Sequence, residues 1–389
     1  MNIIIVANAQ TNGGTLSGAD RIFIECAKRW IEKGHDVQII TCAEGYEMCR
    51  RYGLGNVSYL NLSPRYRLPL YLLYVLRTAK VSILAWQRAS YFGNAVVYSS
   101  SDFWPDSVPA LLFKMRNNRI KWVAGFYLFV ANPFSVKSPY KGLLKLKGLF
   151  YYISQLPVYL SVRRLADMVW VTSEPDRWRF INSRLSPSKV VTVRGGVDVE
   201  APASIPEPVE KKFDAVFVGR FHPQKGILEL VDIWKYVCER KMDAKLAMIG
   251  VGELESEVKA KIKKYGLENN IVFFGFRDGV EKLKIFKDSK VVVHPAIYDS
   301  GGMAACEAMA CGLPGVSFDL PALRTYYPKG MLKTPCYDLK GFAENILKLL
   351  NHEELYRKTA KDALDSAREW DWDKRAELLL KTITSLSGD

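Results

Sequence analysis

A strand, a glycine-punctuated loop, a helix and a second strand open the chain. The same pattern restarts after a proline-rich break, and this repetition leaves few folds open. Asn2 to Ala7 is a continuous apolar run, the mark of a strand buried on both faces. Gly13, Gly14 and Gly18 punctuate the next loop. Ile22, Phe23, Cys26, Ala27 and Trp30 then recur at the helical period up to Gly34, and Val37 to Thr41 reads as a strand again. Strand, crossover helix and strand make a βαβ unit, and a parallel sheet follows from it. Further strands are expected over 95–99, 120–124, 168–172 and 190–193.

Between 201 and 210, Pro202, Pro206 and Pro208 sit among Ala, Ser and Glu, which is linker composition. The pattern then begins anew. Strands are expected over 213–218, 245–249, 271–274, 290–294 and 315–318, with helices from about 227 and 254, near 280–287, over 303–311, and at about 339–350 and 353–368. The expected fold class is α/β, with two doubly wound Rossmann-like domains over 1–200 and 201–371. A C-terminal helix over about 372–389 is available to pack back on the first.

Charge is distributed unevenly over the 389 residues. The net charge is +14, and residues 60–165 carry 15 basic residues against two acidic ones, Asp102 and Asp106. The same stretch holds 20 of the 47 aromatic residues. Such a focused basic and aromatic segment points to an anionic partner such as a membrane surface. It lacks any nucleic-acid reading module, so nucleic acid is not an expected partner. The apolar stretches 68–86 and 143–160 are each interrupted by charge, Arg77 and Lys80 in the first, Lys145 and Lys147 in the second, and neither qualifies as a membrane span. They fit helices lying at an interface, or buried helices with snorkelling lysines. Seven scattered cysteines without a C-x-x-C pair argue against a disulfide framework or a cysteine zinc site, and the chain opens into a strand without a signal-peptide pattern. The cytoplasm, peripheral to a membrane face, is the expected location.

Ligands of open α/β sheets bind beyond the carboxyl ends of the strands. Four features fall there. Gly13-Gly14 either admits a ligand to backbone N–H groups or is a plain tight turn. Gly219-Arg220 and Lys225-Gly226 set two cations in one short loop between strand and helix, suited to a diphosphate. Asp299-Ser300-Gly301-Gly302-Met303-Ala304 leads into a helix whose first N–H groups, at 302–304, would face an anion. Glu307 follows on the same helical face, where a carboxylate can accept hydrogen bonds from vicinal ribose hydroxyls, and Asp299 can do the same for a sugar ring. Gly250-Val251-Gly252 lacks the third glycine of a dinucleotide fingerprint and reads as close strand–helix packing. His294 reads as a buried strand-end residue, and His222 as a loop residue acting through its cationic neighbours.

Residues 218–226 and 294–316 resemble the group 1 (family 4) retaining glycosyltransferases. That family carries a G-R-x(4)-K-G loop and an E-x(7)-E motif, matched here by Gly219-Arg220, Lys225-Gly226 and Asp299 to Glu307, continuing through Ala308-Met309-Ala310-Cys311-Gly312-Leu313-Pro314. Weaker matches run through the first half: Gly13-Gly14, Gly34-His35-Asp36-Val37 and Gly195-Gly196-Val197-Asp198. Three departures stand out. Asp299 replaces the usual Glu, Ser300-Gly301-Gly302 replaces Gly-Phe-Gly, and no histidine falls between Val123 and Phe134, where the family supplies one near the sugar. Tyr127 is the nearest equivalent, hence a possible sugar contact.

The resemblance implies the GT-B fold, two Rossmann-like domains facing across a cleft, with the acceptor on the first and the nucleotide sugar on the second. It implies transfer of a sugar from a nucleotide-diphosphate sugar to a glycan or lipid-linked acceptor, with retention at the anomeric carbon. Arg220, Lys225 and Asp299 are the catalytic candidates. Gly13, Gly14, Gly219, Ser300, Gly301, Gly302, Met303, Ala304 and Glu307 are the donor-binding ones. No metal and no cofactor are expected, since the cations and the helix start can neutralise the leaving diphosphate. The one D-x-D, Asp371-Trp372-Asp373, falls in a late helical stretch. Two alternatives stay open: an inactive nucleotide-sugar-binding partner protein, and the same transfer to a soluble acceptor.

Overall fold

A computed structural model describes residues 1–10, 16–135, 138–142 and 144–386. Gly13 and Gly14 lie outside the described residues. The chain divides into two compact units. The first comprises Met1–Phe134, Leu143–Gly195 and Trp372–Asp389, and the second Ser135–Gly142 and Gly196–Asp371. The division thus runs after Gly195, ahead of the proline cluster where the sequence set it, and a short piece of the first half joins the second unit.

In the first unit the elements are β1 (Asn2–Ala7), α1 (Gly18–Glu32), β2 (Asp36–Cys42), α2 (Ala43–Arg51), β3 (Ser58–Ser63), α3 (Leu70–Arg88), β4 (Ala95–Ser99), α4 (Trp104–Arg116), β5 (Lys121–Gly125), α5 (Leu144–Leu165), β6 (Met168–Val171), α6 (Glu174–Asn182) and β7 (Val190–Thr192). The seven strands form one parallel sheet in the order β3-β2-β1-β4-β5-β6-β7. Ile3 to Ala7 are fully buried, as a strand covered by helices on both faces requires. Helix α1 starts at a capping box, in which Ser17 Oγ accepts from the Asp20 N–H and the Asp20 carboxylate accepts from the Ser17 N–H.

The second unit contains β8 (Phe213–Val218), α7 (Ile227–Arg240), β9 (Leu246–Ile249), α8 (Glu255–Tyr265), β10 (Ile271–Gly275), α9 (Gly279–Lys287), β11 (Ser289–His294), α10 (Met303–Ala310), β12 (Gly315–Phe318), α11 (Pro321–Tyr326), β13 (Met331–Thr334), α12 (Leu339–Asn351) and α13 (Glu353–Arg368). Its six strands are parallel in the order β10-β9-β8-β11-β12-β13. Trp234, Phe217, Phe221, Met248 and Phe342 anchor the core on one side of this sheet. Met309, Tyr327 and Trp370 anchor the other.

After the second unit the chain returns to the first as α14 (Trp372–Thr384). The Trp30 indole N–H on α1 donates to the Ala376 carbonyl at 3.0 Å, and Arg29 pairs with Asp373. The D-x-D pattern is thereby explained structurally: Asp373 belongs to a helix–helix ion pair, and the Asp371 backbone bridges to Val197.

One member of the basic segment is not at the surface. Arg77, on α3, is fully buried and pairs with Glu44 on α2 at 2.7 Å, while donating to the carbonyl of Gln10. Its charge serves the packing of α2, α3 and the end of β1. Among the described residues no helix is long and apolar enough to cross a membrane.

Candidate active site

In each sheet the order reverses direction at the strand that comes first in the chain, β1 or β8, and that point opens a crevice beyond the strand ends. In the second unit it lies between β8 and β11. Two loops leave the sheet there: Gly219 to Gly226 after β8, and Pro295 to Gly302 after β11. The loops are fastened together by backbone. The Ile297 and Tyr298 N–H groups both reach the Gln224 carbonyl, at 3.0 and 3.3 Å. Gly226 has φ +63°, and a Cβ there would sit 1.9 Å from the Pro295 carbonyl oxygen, so only glycine allows this approach.

From below, Gly250 supports the first loop. Its φ is +140°, and a Cβ would meet the Gly219 carbonyl oxygen at 1.9 Å. The Phe221 N–H donates to the Val251 carbonyl at 3.0 Å. The Gly250-Val251-Gly252 segment therefore packs against the backbone of the Gly-Arg loop, rather than only against a following helix.

These loops carry the cations. Arg220 is exposed and has no ion pair among the described residues. Lys225 reaches across to Asp299, with Nζ–Oδ2 2.5 Å. Asp299 also lies 3.3 Å from His294 Nε2, and its Oδ1 accepts the Ser300 and Gly301 N–H groups at 3.0 and 3.3 Å. Burial by itself would push the Asp299 carboxyl up; Lys225 and His294 outweigh it and hold the group well below the usual carboxylate range. His294 is buried at the end of β11, and burial lowers its pKa even against the pull of Asp299. His222 Nδ1 accepts the Gln224 N–H at 3.3 Å and its Nε2 faces Glu253 at 3.5 Å, so this histidine shapes the loop between the two cations.

Helix α10 starts at Gly302 with no side-chain cap. The N–H groups of Gly302, Met303 and Ala304 have no hydrogen-bond partner among the described residues. The start is held in place from behind, because the Tyr327 hydroxyl donates to the Gly302 carbonyl. Free N–H groups and the positive end of the helix dipole make an anion seat. Ser300 is buried beside it.

One turn further along α10 stands Glu307. The flanking alanines suggest an apolar setting, but a lysine on the neighbouring helix occupies it. Lys282 Nζ, on α9, lies 2.8 Å from Glu307 Oε2 and 2.7 Å from Asp278 Oδ1. Burial opposes the charge on Lys282, yet Glu307 and Asp278 outweigh it and its pKa is raised. Sequence reading missed Lys282; the signal was the i,i+4 pair Asp278–Lys282 at the start of a helix that borders the motif helix.

Tyr127 is tied into the first unit. It lies in the first unit just past β5, is 8% exposed, and its hydroxyl hydrogen-bonds the buried Tyr98 hydroxyl at 2.5 Å. Both rings serve the core of that unit, so the position that lacks a histidine is not filled by an exposed polar tip.

Two cations, a carboxylate in an ion pair, an open helix start and a second carboxylate one turn on thus converge on one switch point. Residues 200–365 match the family model for glycosyl transferases group 1. The chain carries a group 1 glycosyltransferase domain. That domain contains every candidate from Gly219 to Glu307. An uncharacterized glycosyltransferase of Methanocaldococcus jannaschii is 38% identical over 101 residues, 26% of each chain. A phosphatidyl-myo-inositol mannosyltransferase of Mycobacterium leprae is 28% identical over 208 residues, 51% of this chain and 54% of that one. The matches thus span about a quarter and about half of these two relatives. The structure of Anabaena Alr3699/HepE in complex with UDP-glucose has a TM-score of 0.74 at 18% identity, covering 99% of this chain and 100% of that one. The fold is GT-B.

Proposed function

We propose that this protein transfers a sugar from a nucleotide-diphosphate sugar to a hydroxyl of a lipid-linked or membrane-surface glycan acceptor, with retention and without a metal ion. The observation that carries the reading is the cationic seat at the β8/β11 switch point: exposed Arg220, Lys225, and the open N–H groups of Gly302, Met303 and Ala304. A leaving nucleotide diphosphate gains negative charge as the bond from its phosphate oxygen to the anomeric carbon breaks. Preorganised cations and N–H dipoles lower that barrier. Arg220 grips the diphosphate as a planar fork and Lys225 as a point charge.

Glu307 accepts the ribose hydroxyls, and Asp299 accepts from the sugar ring. The acceptor hydroxyl attacks the anomeric carbon from the face the diphosphate leaves. Its proton passes to the departing phosphate oxygen, so the new glycosidic bond keeps the donor's configuration. The phosphatidyl-inositol relative and the basic, aromatic stretch 60–165 favour an acceptor held in an anionic membrane, with the protein peripheral to it.

The test is incubation with UDP- and GDP-sugars, with and without lipid extract, followed by assay of nucleotide release and of the anomeric configuration of the product. Release that needs lipid extract and gives a retained product is the expected result. Release with soluble sugars alone moves the reading to a soluble acceptor. Binding without release under every condition makes the protein an inactive nucleotide-sugar-binding partner. Inversion refutes front-face attack.

A further inference from the structure

The first unit carries two exposed apolar stripes that converge. On α3, Leu72, Val75, Ile83 and Trp86 are 50–59% exposed and, with Ala79 between them, follow one helical face. The opposite face of the same helix, Leu73, Arg77, Val81 and Ala85, is the buried one. On α5, Leu146, Phe150, Ile153 and Leu156 are 45–67% exposed, again at steps of three and four. The stripes meet where the Tyr71 ring packs on Phe150, with centroids 3.8 Å apart. Contiguous apolar surface of this kind marks an interaction site rather than ordinary scatter.

The charge around it selects the partner. Lys80, Arg88, Arg116, Lys145 and Arg164 are exposed on and beside the two helices, with the Arg116 guanidinium over the Trp86 ring at 5.5 Å. Neither acid of the 60–165 stretch opposes them at the surface. Asp106 is 1% exposed, and the Asp102 carboxylate takes the Gln155 amide at 2.7 Å. A second copy of the same face would bring basic groups against basic groups. An anionic bilayer answers both features, taking the apolar side chains at its acyl boundary and the cations at its headgroups.

We infer that α3 and α5 together form a two-stripe membrane-docking face, anchored by apolar insertion at both helices as well as by charge. This rests on the reading that the acceptor lies in a membrane. It adds where the protein docks, and it adds a salt-resistant component that attraction by the basic segment alone does not give.

The experiment is co-sedimentation of the full chain with phosphatidylglycerol/phosphatidylcholine vesicles at low salt and at high salt. It compares wild type with Leu72→Ser/Ile83→Ser/Trp86→Ser and with Leu146→Ser/Ile153→Ser/Leu156→Ser. Wild type should bind in both salts. Each triple variant should keep most low-salt binding and lose salt-resistant partitioning by roughly tenfold or more, as withdrawn apolar area no longer contributes. All six positions are exposed, so unfolding midpoints and nucleotide binding should hold. The single changes Trp86→Ala and Ile153→Ala repeat the measurement with less disturbance and should each lower high-salt binding by a smaller factor. If wild type binds and the variants partition like it at both salts, the docking face is refuted while the membrane acceptor stands. If wild type ignores the vesicles at low salt, both fall. A wild-type dimer in sedimentation velocity that the stripe variants turn monomeric assigns the face to self-association and overturns the inference.

Discussion

Lys282 Nζ on α9 lies 2.8 Å from Glu307 Oε2 on α10, so the carboxylate assigned to the ribose is held by an ion pair from a neighbouring helix. With Asp278 as its second partner, Lys282 is fixed on two sides and occupies one Glu307 oxygen. The other oxygen remains for a diol. Glu307→Ala should weaken nucleoside diphosphate binding by on the order of 1.5–3 kcal/mol, the range of a charged hydrogen bond. Lys282→Met should weaken it less and also blunt discrimination between ribose and 2′-deoxyribose nucleotides, since Glu307 would lose its orientation. Calorimetry with both nucleotides measures this. Full discrimination in Lys282→Met would reduce the lysine to a packing role.

Arg220→Ala and Lys225→Ala should each lower kcat by roughly 100-fold or more, the usual cost of removing a group that stabilises developing charge. Chelation by EDTA should leave turnover unchanged. Turnover near wild type in both variants, or activity abolished by EDTA and restored by Mg²⁺ or Mn²⁺, would falsify the metal-free mechanism.

Asp299 and Glu307 should separate by ligand. Asp299→Ala should spare binding of the free nucleotide and impair use of the intact sugar donor, the ligand its carboxylate is proposed to meet while it holds Lys225, His294 and the loop N–H groups. Calorimetry with nucleotide and with nucleotide sugar reads the difference. Equal damage to both ligands would mean that Asp299 acts through Lys225 on the diphosphate instead.

Much of this was readable in the residues. Buried parallel strands such as Ile3 to Val6 and Val291 to Val293 announce themselves as unbroken apolar runs. The motif loops are marked by glycines whose conformations other residues cannot adopt, Gly226 above all. Strand β3 escaped because Ser58–Ser63 is a part-buried edge segment with Asn and Ser among its apolar residues, and β13 because Met331–Thr334 is likewise a part-buried edge strand, in which Lys333 breaks the apolar run. Pair contacts were not legible. Arg77–Glu44 joins residues on two helices, and Lys282–Glu307 joins a residue outside the motif to one inside it. Composition counted Arg77 with the surface charge, and only the fold turns it inward. The Tyr127–Tyr98 hydroxyl pair was hidden too, since matching a motif position says nothing about which way a ring points.

Burial pushes the Asp102 and Asp106 carboxyls up to about 6 and about 7. An unfolded aspartate titrates near 4. Between those limits the folded chain holds more protons than the unfolded one, so these groups make stability fall as pH rises from about 4 to about 7. Asp102→Asn keeps an oxygen for the Gln155 amide and should flatten part of that slope. Asp106→Ala should instead destabilise at every pH, because the Asn8 and Ala9 N–H groups and the Ser100 and Ser101 hydroxyls all donate to its carboxylate. Thermal midpoints across pH 4.5–8 check both, and an unchanged slope in Asp102→Asn would show that its proton is not linked to folding.

Arg77 gives the sharpest stability prediction. It is fully exposed to protein and not at all to water, with Glu44 at 2.7 Å and the Gln10 carbonyl as acceptors. Arg65 is the only other cation paired with Glu44 among the described residues, and it stands at 3.7 Å from a half-exposed position. Arg77→Met fills much of the volume but leaves the Glu44 carboxylate buried without its close partner. Breaking one side of a buried pair costs about 3–5 kcal/mol. Removing both charges in Arg77→Met/Glu44→Gln should recover a large part of that loss, because no buried charge is then left uncompensated. Denaturant unfolding of the two variants measures the difference. A double variant as unstable as the single one would mean that the carbonyl contacts of Arg77 at the end of β1, and not its charge, hold α3 against the sheet.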